Sequence, residues 1–229
     1  MKRVRTGGPS RTAVVAGATG LVGGELIRRL LREPRYTRVL ALSRRALSLR
    51  EARLEVVEAA FDRLAEVLRG ARAEDGVLDV FCCLGTTIRK AGSEAAFCRV
   101  DHDYPLALGR WARDARAHRM VVVSALGADA GSRVFYNRVK GETERDLAAL
   151  GLASLVIVRP SLLSGNREEF RVGERLALMA TRPLRMLLPV GVRPIAAADV
   201  AQSMLNAALA EAPAAVIESA AMQGAAEMA

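Results

Sequence analysis

A short apolar run that ends in a glycine turn constrains this chain more than any other feature. Thr12-Ala13-Val14-Val15-Ala16 reads as a buried strand, and Gly17-Ala18-Thr19-Gly20-Leu21-Val22-Gly23 follows at once. From Leu21 to Leu31 the apolar residues recur at helical spacing. A strand that turns through glycines straight into a helix gathers free backbone N–H groups and the positive end of the helix dipole at the turn. Glycine permits the tight turn and the close approach of a pyrophosphate, and the third glycine lets helix and strand pack together. Gly17, Thr19, Gly20, Leu21, Val22 and Gly23 are therefore candidate dinucleotide-binding residues. A glycine triplet alone is weak evidence, but the strand before it and the amphipathic helix after it give it specificity. The competing reading is a glycine-rich turn with no ligand.

Apolar runs and helical stretches alternate down the rest of the chain. Further strands are expected at residues 38–42, 54–57, 78–84, 120–123 and 154–158, with helices near 64–68, 93–117, 135–150 and 200–209. A last short strand is expected at Val216 and Ile217, followed by a loose tail. Short apolar strands alternating with helices imply an α/β fold, a Rossmann-type doubly wound parallel sheet covered on both faces. Residues 1–229 fit a single domain of this kind. After Pro160 the alternation weakens, and about 160–197 reads as a small C-terminal lobe that binds substrate.

Composition narrows the partners. The net charge of +9 comes from arginine, since the lysines are Lys2, Lys90 and Lys140 alone. The arginines are scattered and aromatic residues are 4% of the chain, so a solvated surface is favoured over nucleic-acid binding. No apolar run reaches the roughly 18 residues of a membrane span. No apolar leader follows the basic stretch from Met1 to Arg11, which points to a cytoplasmic protein. Cys82, Cys83 and Cys98 suit packing better than a disulfide framework, and Cys83 has no base placed to activate it. His102 and His118 are too few for a metal site. A small-molecule substrate is the expected partner, and a monomer or a homodimer fits equally.

The second strand ends in Ser43-Arg44-Arg45. A site that prefers NAD places Asp or Glu about 20 residues past the glycines to bind the ribose 2′-hydroxyl. No carboxylate lies between Tyr36 and Arg50. Two guanidiniums suit a 2′-phosphate, so the cofactor implied is NADP(H); the alternative is two arginines facing solvent. Further on, Tyr136 and Lys140 are four apart on an expected helix and share a face. A nearby ammonium favours a phenolate, which lets such a pair move a proton to or from a substrate oxygen. The competing reading is an exposed helix pair.

Five further segments carry a family resemblance: Cys83-Leu84-Gly85-Thr86-Thr87, Val100-Asp101-His102-Asp103-Tyr104, Ser124-Ala125-Leu126-Gly127-Ala128-Asp129, Val139-Lys140-Gly141-Glu142 and Arg159-Pro160-Ser161. With the glycine turn and the Tyr136–Lys140 pair, the chain resembles the short-chain dehydrogenase/reductase superfamily in its atypical or extended branch. The finer likeness is to the Tat-interactive-protein-like oxidoreductases and their bacterial relatives, often grouped with the NAD-dependent epimerase/dehydratase family. The resemblance implies that Asp62 faces the adenine and that Leu84, Gly85 and Thr86 pass over the adenosine side of the cofactor. Lys140 would also bond the nicotinamide ribose, and Pro160 would lie beside the nicotinamide. A hydroxyl at the end of the fifth strand assists the tyrosine in this superfamily, which points to Ser124; Ala125 occupies the position that extended relatives often use. Arg159, Arg171 and Glu174 fall in or near the segment where the superfamily reads its substrate. The implied activity is an NADP(H)-dependent oxidoreductase, transferring hydride to or from a small carbonyl or alcohol with Tyr136 as proton donor. The alternatives are an NADP(H)-binding regulatory or scaffold protein with little turnover, and a sugar-nucleotide epimerase or dehydratase.

Overall fold

The computed structural model describes residues 9–44, 47, 49–58, 64–68, 76–164, 189–210 and 215–228. Strand β1 (Arg11–Ala16) leads through the glycine turn into α1 (Leu21–Arg32), and β2 (Tyr36–Ser43) and β3 (Leu54–Glu58) follow. A short α2 (Leu64–Val67) precedes β4 (Val77–Cys82), and then come α3 (Ile88–Ala91), α4 (Glu94–Cys98) and α5 (Tyr104–Asp114). Next are β5 (Arg119–Val123), α6 (Phe135–Ala148), β6 (Leu155–Arg159) and β7 (Leu163–Ser164). The chain closes with β8 (Ile195–Ala196), α7 (Ala197–Leu209), β9 (Ala215–Glu218) and α8 (Ser219–Met222).

Seven strands form one parallel sheet in the order β3-β2-β1-β4-β5-β6-β9. Successive residues of β1 serve opposite faces, as strand geometry requires. Ala13 and Val15 pack with Leu26, Ile27 and Leu30 of α1 and with Val200 and Met204 of α7. Val14 and Ala16 pack on the other side with Leu108 and Ala112 of α5 and Leu147 of α6. Both faces are covered, which is why β1, β4, β5 and β6 are almost continuously apolar. The strand order reverses between β1 and β4, so the loops leaving their C-terminal ends diverge and open a crevice there.

Three elements differ from the sequence-based expectation. The single helix expected at 93–117 is broken by a π turn at Arg99–Asp103. Pro105 has no N–H to give the carbonyl four residues back, at Asp101. The Tyr104 N–H reaches Arg99 O instead, and the Thr143 hydroxyl lies between Asp101 O at 3.0 Å and Val139 O of its own helix at 2.7 Å, with one proton to share. Strand β4 stops at Cys82 rather than at residue 84, because Cys83 O lies against Gly17. The short strand expected at Val216 and Ile217 is present as β9 beside β6, but no loose tail follows it directly, since α8 buries Ser219 and Met222. The ladder between β7 and β8 pairs Leu163 with Ile195 and Ser164 with Ala196, bringing together the two ends of the expected lobe. Residues 165–188, which include Arg171 and Glu174, lie outside the described residues.

Candidate functional site

The glycine turn is built as the cofactor chemistry requires. Gly17 has φ +86°, a backbone conformation that side chains disfavour, and a Cβ there would sit 2.4 Å from Cys83 O. A Cβ on Gly23 would fall 2.2 Å from Gly17 O, so the third glycine lets α1 seat directly on the turn. Gly20 N–H donates to Gly17 O at 2.9 Å, closing the loop. Gly20 caps α1 without a side-chain bond, and the first helical turn holds no acidic residue. Thr19 and Gly20 are exposed, whereas Val22 is buried in the core and can offer a ligand only its backbone. An uncapped helix end beside an exposed glycine fits a pyrophosphate.

Gly17 packs on the loop that leaves β4, and this loop leads to the ionisable pair. Leu84 is buried, Gly85 exposed and Thr86 half-buried. A Cβ on Gly85 would lie 3.9 Å from Lys140 Nζ and 3.5 Å from Asp101 Oδ1. Lys140 is buried on α6, with its ammonium 2.8 Å from Asp101 Oδ1. Asp101 Oδ2 accepts the Thr86 N–H at 2.9 Å. Burial works to lower the Lys140 pKa, but Asp101 above all, aided by Tyr136 and Cys82, holds it above the ordinary value. The lysine is therefore a fixed cation at neutral pH.

Tyr136 lies one turn before Lys140 on α6, half-buried, with its ring 5.7 Å from that of Phe97. The helix approaches the loop after β5 closely: a Cβ on Gly141 would come within 2.1 Å of Ala130 N. Asp129 N–H donates to Asn137 O at 3.0 Å, fixing the same contact. The glycine beside Lys140 is thus a packing requirement of α6.

Ser124 follows β5 and is buried, and its hydroxyl donates to Glu144 Oε1. Glu144 is itself buried, one turn past Lys140, and accepts Arg159 Nε at 3.0 Å. Arg159 reaches on to Glu218 at 3.1 Å. The ends of β5, β6 and β9 are thereby tied to α6 through one charged network. A serine that gives its single proton to a carboxylate offers other groups only lone pairs. Pro160 is buried next to this network, and its carbonyl accepts Leu126 N–H at 2.9 Å.

Ser43 is buried at the end of β2, and Arg44 beside it is exposed. Arg45 and Asp62 lie outside the described residues. Burial pushes the Cys82 thiol up to about 11 and the Cys83 thiol well above its ordinary value, as packing cysteines require.

A family model described as NAD(P)H-binding matches residues 17–211. FMP52, a mitochondrial protein of Eremothecium gossypii, is 37% identical over 162 residues, covering 70% of this chain and 70% of that protein. HTATIP2 of Rattus norvegicus is 35% identical over 173 residues, covering 73% and 69%. The chain belongs to the NAD(P)H-binding family of atypical short-chain dehydrogenase/reductases. A solved oxidoreductase of the short-chain dehydrogenase/reductase family from Burkholderia thailandensis shares this family's fold, with TM-score 0.65, 22% identity and 93% coverage of each chain. MoeE5 in complex with UDP-glucose and NAD superposes at TM-score 0.66 and 19% identity, over 90% of this chain and 74% of that one.

Within this family the expectation of a cytoplasmic protein fails. FMP52 of Eremothecium gossypii and fmp52 of Emericella nidulans are named as mitochondrial. Screening for an apolar leader detects secretory signals, whereas mitochondrial leaders are amphipathic and rich in arginine and escape it. Among the described residues no helix is long and apolar enough to cross a membrane. Asp101 and Glu144 are the site residues to which sequence reasoning gave no role. Glu144 was legible as the next residue of the Tyr136, Lys140 face at helical spacing. Asp101 shares the helical face of buried Phe97, Pro105 and Leu108, but its partners, the Thr86 N–H and Lys140, are distant in sequence, so its role was not legible.

Proposed function

We propose that this family member is an NADP(H)-dependent oxidoreductase acting on a small carbonyl or alcohol, with Tyr136 as the proton donor. The observation that carries the reading is the buried Lys140 ammonium, one helical turn from Tyr136 and against the loop that packs on the glycine turn. Bound NADPH supplies the hydride. Gly17, Thr19, Gly20, Leu21, Val22 and Gly23 hold the pyrophosphate through backbone N–H groups and the α1 dipole. Ser43, Arg44 and Arg45 take the 2′-phosphate, a role supported by the exposed Arg44 and the absence of a carboxylate nearby in the sequence. Asp62 serves the adenine, Leu84, Gly85 and Thr86 the adenosine side, and Pro160 the nicotinamide. Tyr136 donates its proton to the substrate oxygen, and Lys140 stabilises the phenolate left behind and bonds the ribose. Ser124, its own proton committed to Glu144, accepts from the substrate hydroxyl in the alcohol direction, and would have to turn its proton from Glu144 to bond a carbonyl oxygen. Residues 1–229 act as one domain, with about 160–197 forming the substrate lobe.

Tyr136→Phe tests this mechanism. It is expected to lower kcat by about 10²- to 10⁴-fold on whichever carbonyl the wild type reduces fastest, with NADPH affinity kept. Full activity in the variant contradicts the role of Tyr136. A second reading, an NADP(H)-binding regulatory protein with little turnover, draws on the commitment of the Ser124 proton and on Ala125 at the neighbouring position. Tight NADPH binding without turnover across carbonyl, alcohol and sugar-nucleotide panels would favour it.

A further inference from the structure

Asp101 is the buried charge of the site to which the reading above gives no task. It is 1% exposed, and each of its oxygens is claimed by a different group. Oδ1 faces Lys140 of α6, Oδ2 accepts the Thr86 N–H of the loop after β4, and the carbonyl lies 3.0 Å from the Thr143 hydroxyl of α6, which it shares with Val139 O. Asp101 lies within the π turn at Arg99–Asp103, on the same inward face as Phe97 and Pro105. Gly85 passes beside it: a Cβ there would be in van der Waals contact with Asp101 Oδ1 at 3.5 Å and Lys140 Nζ at 3.9 Å.

We propose that Asp101 is a positioning residue that holds the Lys140 ammonium at the nicotinamide-ribose end of the site and ties it to the Gly85-Thr86 backbone. The loop that meets the cofactor and the Tyr136–Lys140 pair then move as one unit. The inference rests on the NADP(H) reading above. A buried ammonium without a counter-charge loses its proton or leaves the site. The groups that face Lys140 are Asp101 from the π turn, Tyr136 from its own helix and Cys82 from β4. Cys98 also lies within electrostatic reach of Asp101. Burial keeps the Cys82 and Cys98 thiols protonated, so the carboxylate opposite Lys140 is the Asp101 one. Asparagine at this position keeps an acceptor for Thr86 and removes the charge, which separates the two functions.

The lysine count makes the test direct. With lysine labelled at 13Cε, the full chain gives three side-chain signals, for Lys2, Lys90 and Lys140. Lys2→Arg and Lys90→Arg variants assign them. In the wild type, Lys140 is expected to lose its proton above the ordinary lysine range; in folded Asp101→Asn it is expected to do so at lower pH than in the wild type. NADPH affinity is expected to fall about tenfold in Asp101→Asn, as for one misplaced charge-assisted hydrogen bond. Lys140 ionising below the ordinary lysine range in the wild type overturns the proposal, and that measurement needs no variant to fold. Lys140 ionising at unchanged pH in Asp101→Asn overturns it as well. A shifted lysine with unchanged NADPH affinity overturns the coupling to the cofactor. A wild type that binds no dinucleotide instead overturns the NADP(H) reading on which the proposal stands.

Discussion

At the scale of single residues, the charged groups of the site differ in what they can be replaced by. Arg159 is about a quarter exposed and satisfies a buried Glu144. Arg159→Ala leaves that carboxylate with the Ser124 hydroxyl as its remaining partner, and is expected to cost about 2–3 kcal/mol, below the range for a fully buried pair. A lower denaturant midpoint at unchanged slope would show it; an unchanged midpoint contradicts the network. His102 joins two elements, its ring nitrogens 2.9 Å from Asp103 and 3.0 Å from Asp146 of α6. Partial burial opposes protonation, but the two carboxylates prevail and raise its pKa above 6.5. A raised folded value means that the stabilisation is complete below about 6.5 and fades as pH climbs through the folded pKa. Wild type should therefore exceed His102→Gln in stability by more at pH 5.5 than at pH 8.5. A gap that widens towards pH 8.5 contradicts the assignment.

At the scale of elements, α6 shows how packing overrides propensity. Glycine is a poorer helix former than alanine by about 1 kcal/mol, so propensity alone favours Gly141→Ala. The added Cβ would lie 2.1 Å from Ala130 N and 2.2 Å from the Asp129 carbonyl carbon, both backbone atoms. Overpacking of that kind costs about 1–3 kcal/mol, with the upper end expected where the backbone must move. Thermal melts should show Gly141→Ala destabilised, with weaker NADPH binding because Lys140 moves with the helix. A higher melting temperature contradicts the close approach. The same contrast explains what the sequence disclosed. Strands β1, β4, β5 and β6 were legible because burial on both faces leaves unbroken apolar runs, and the glycine turn was legible because its residues adjoin in sequence. Tyr136 and Lys140 were legible through their one-turn spacing. The π turn was not, since a missing N–H at Pro105 does not by itself show where the freed Asp101 carbonyl turns, and the hydroxyl nearest it comes from Thr143, 42 residues further on. Nor was the destination of the Ser124 proton, which depends on how α6 docks against β5 and β6.

At the scale of the whole molecule, the fold gathers distant segments at the C-terminal ends of the central strands. The turn after β1, the loop after β4 and the face of α6 come from residues 17 to 140, and the strand order places them about the reversal between β1 and β4. The arginine-rich surface gives the chain its net +9 charge, which assists the approach of an anionic dinucleotide without selecting between NADP(H) and NAD(H). Selection falls to the end of β2, where Arg44 is exposed and no carboxylate follows before Glu51. The decisive measurement is a titration of the protein with NADPH and with NADH, in the wild type and in an Arg44→Ala/Arg45→Ala variant. The account predicts tighter NADPH binding in the wild type and a loss of about 10- to 100-fold for NADPH in the variant, as charge-assisted bonds to a phosphate imply, with NADH little changed. Equal affinity for the two cofactors in the wild type would contradict it.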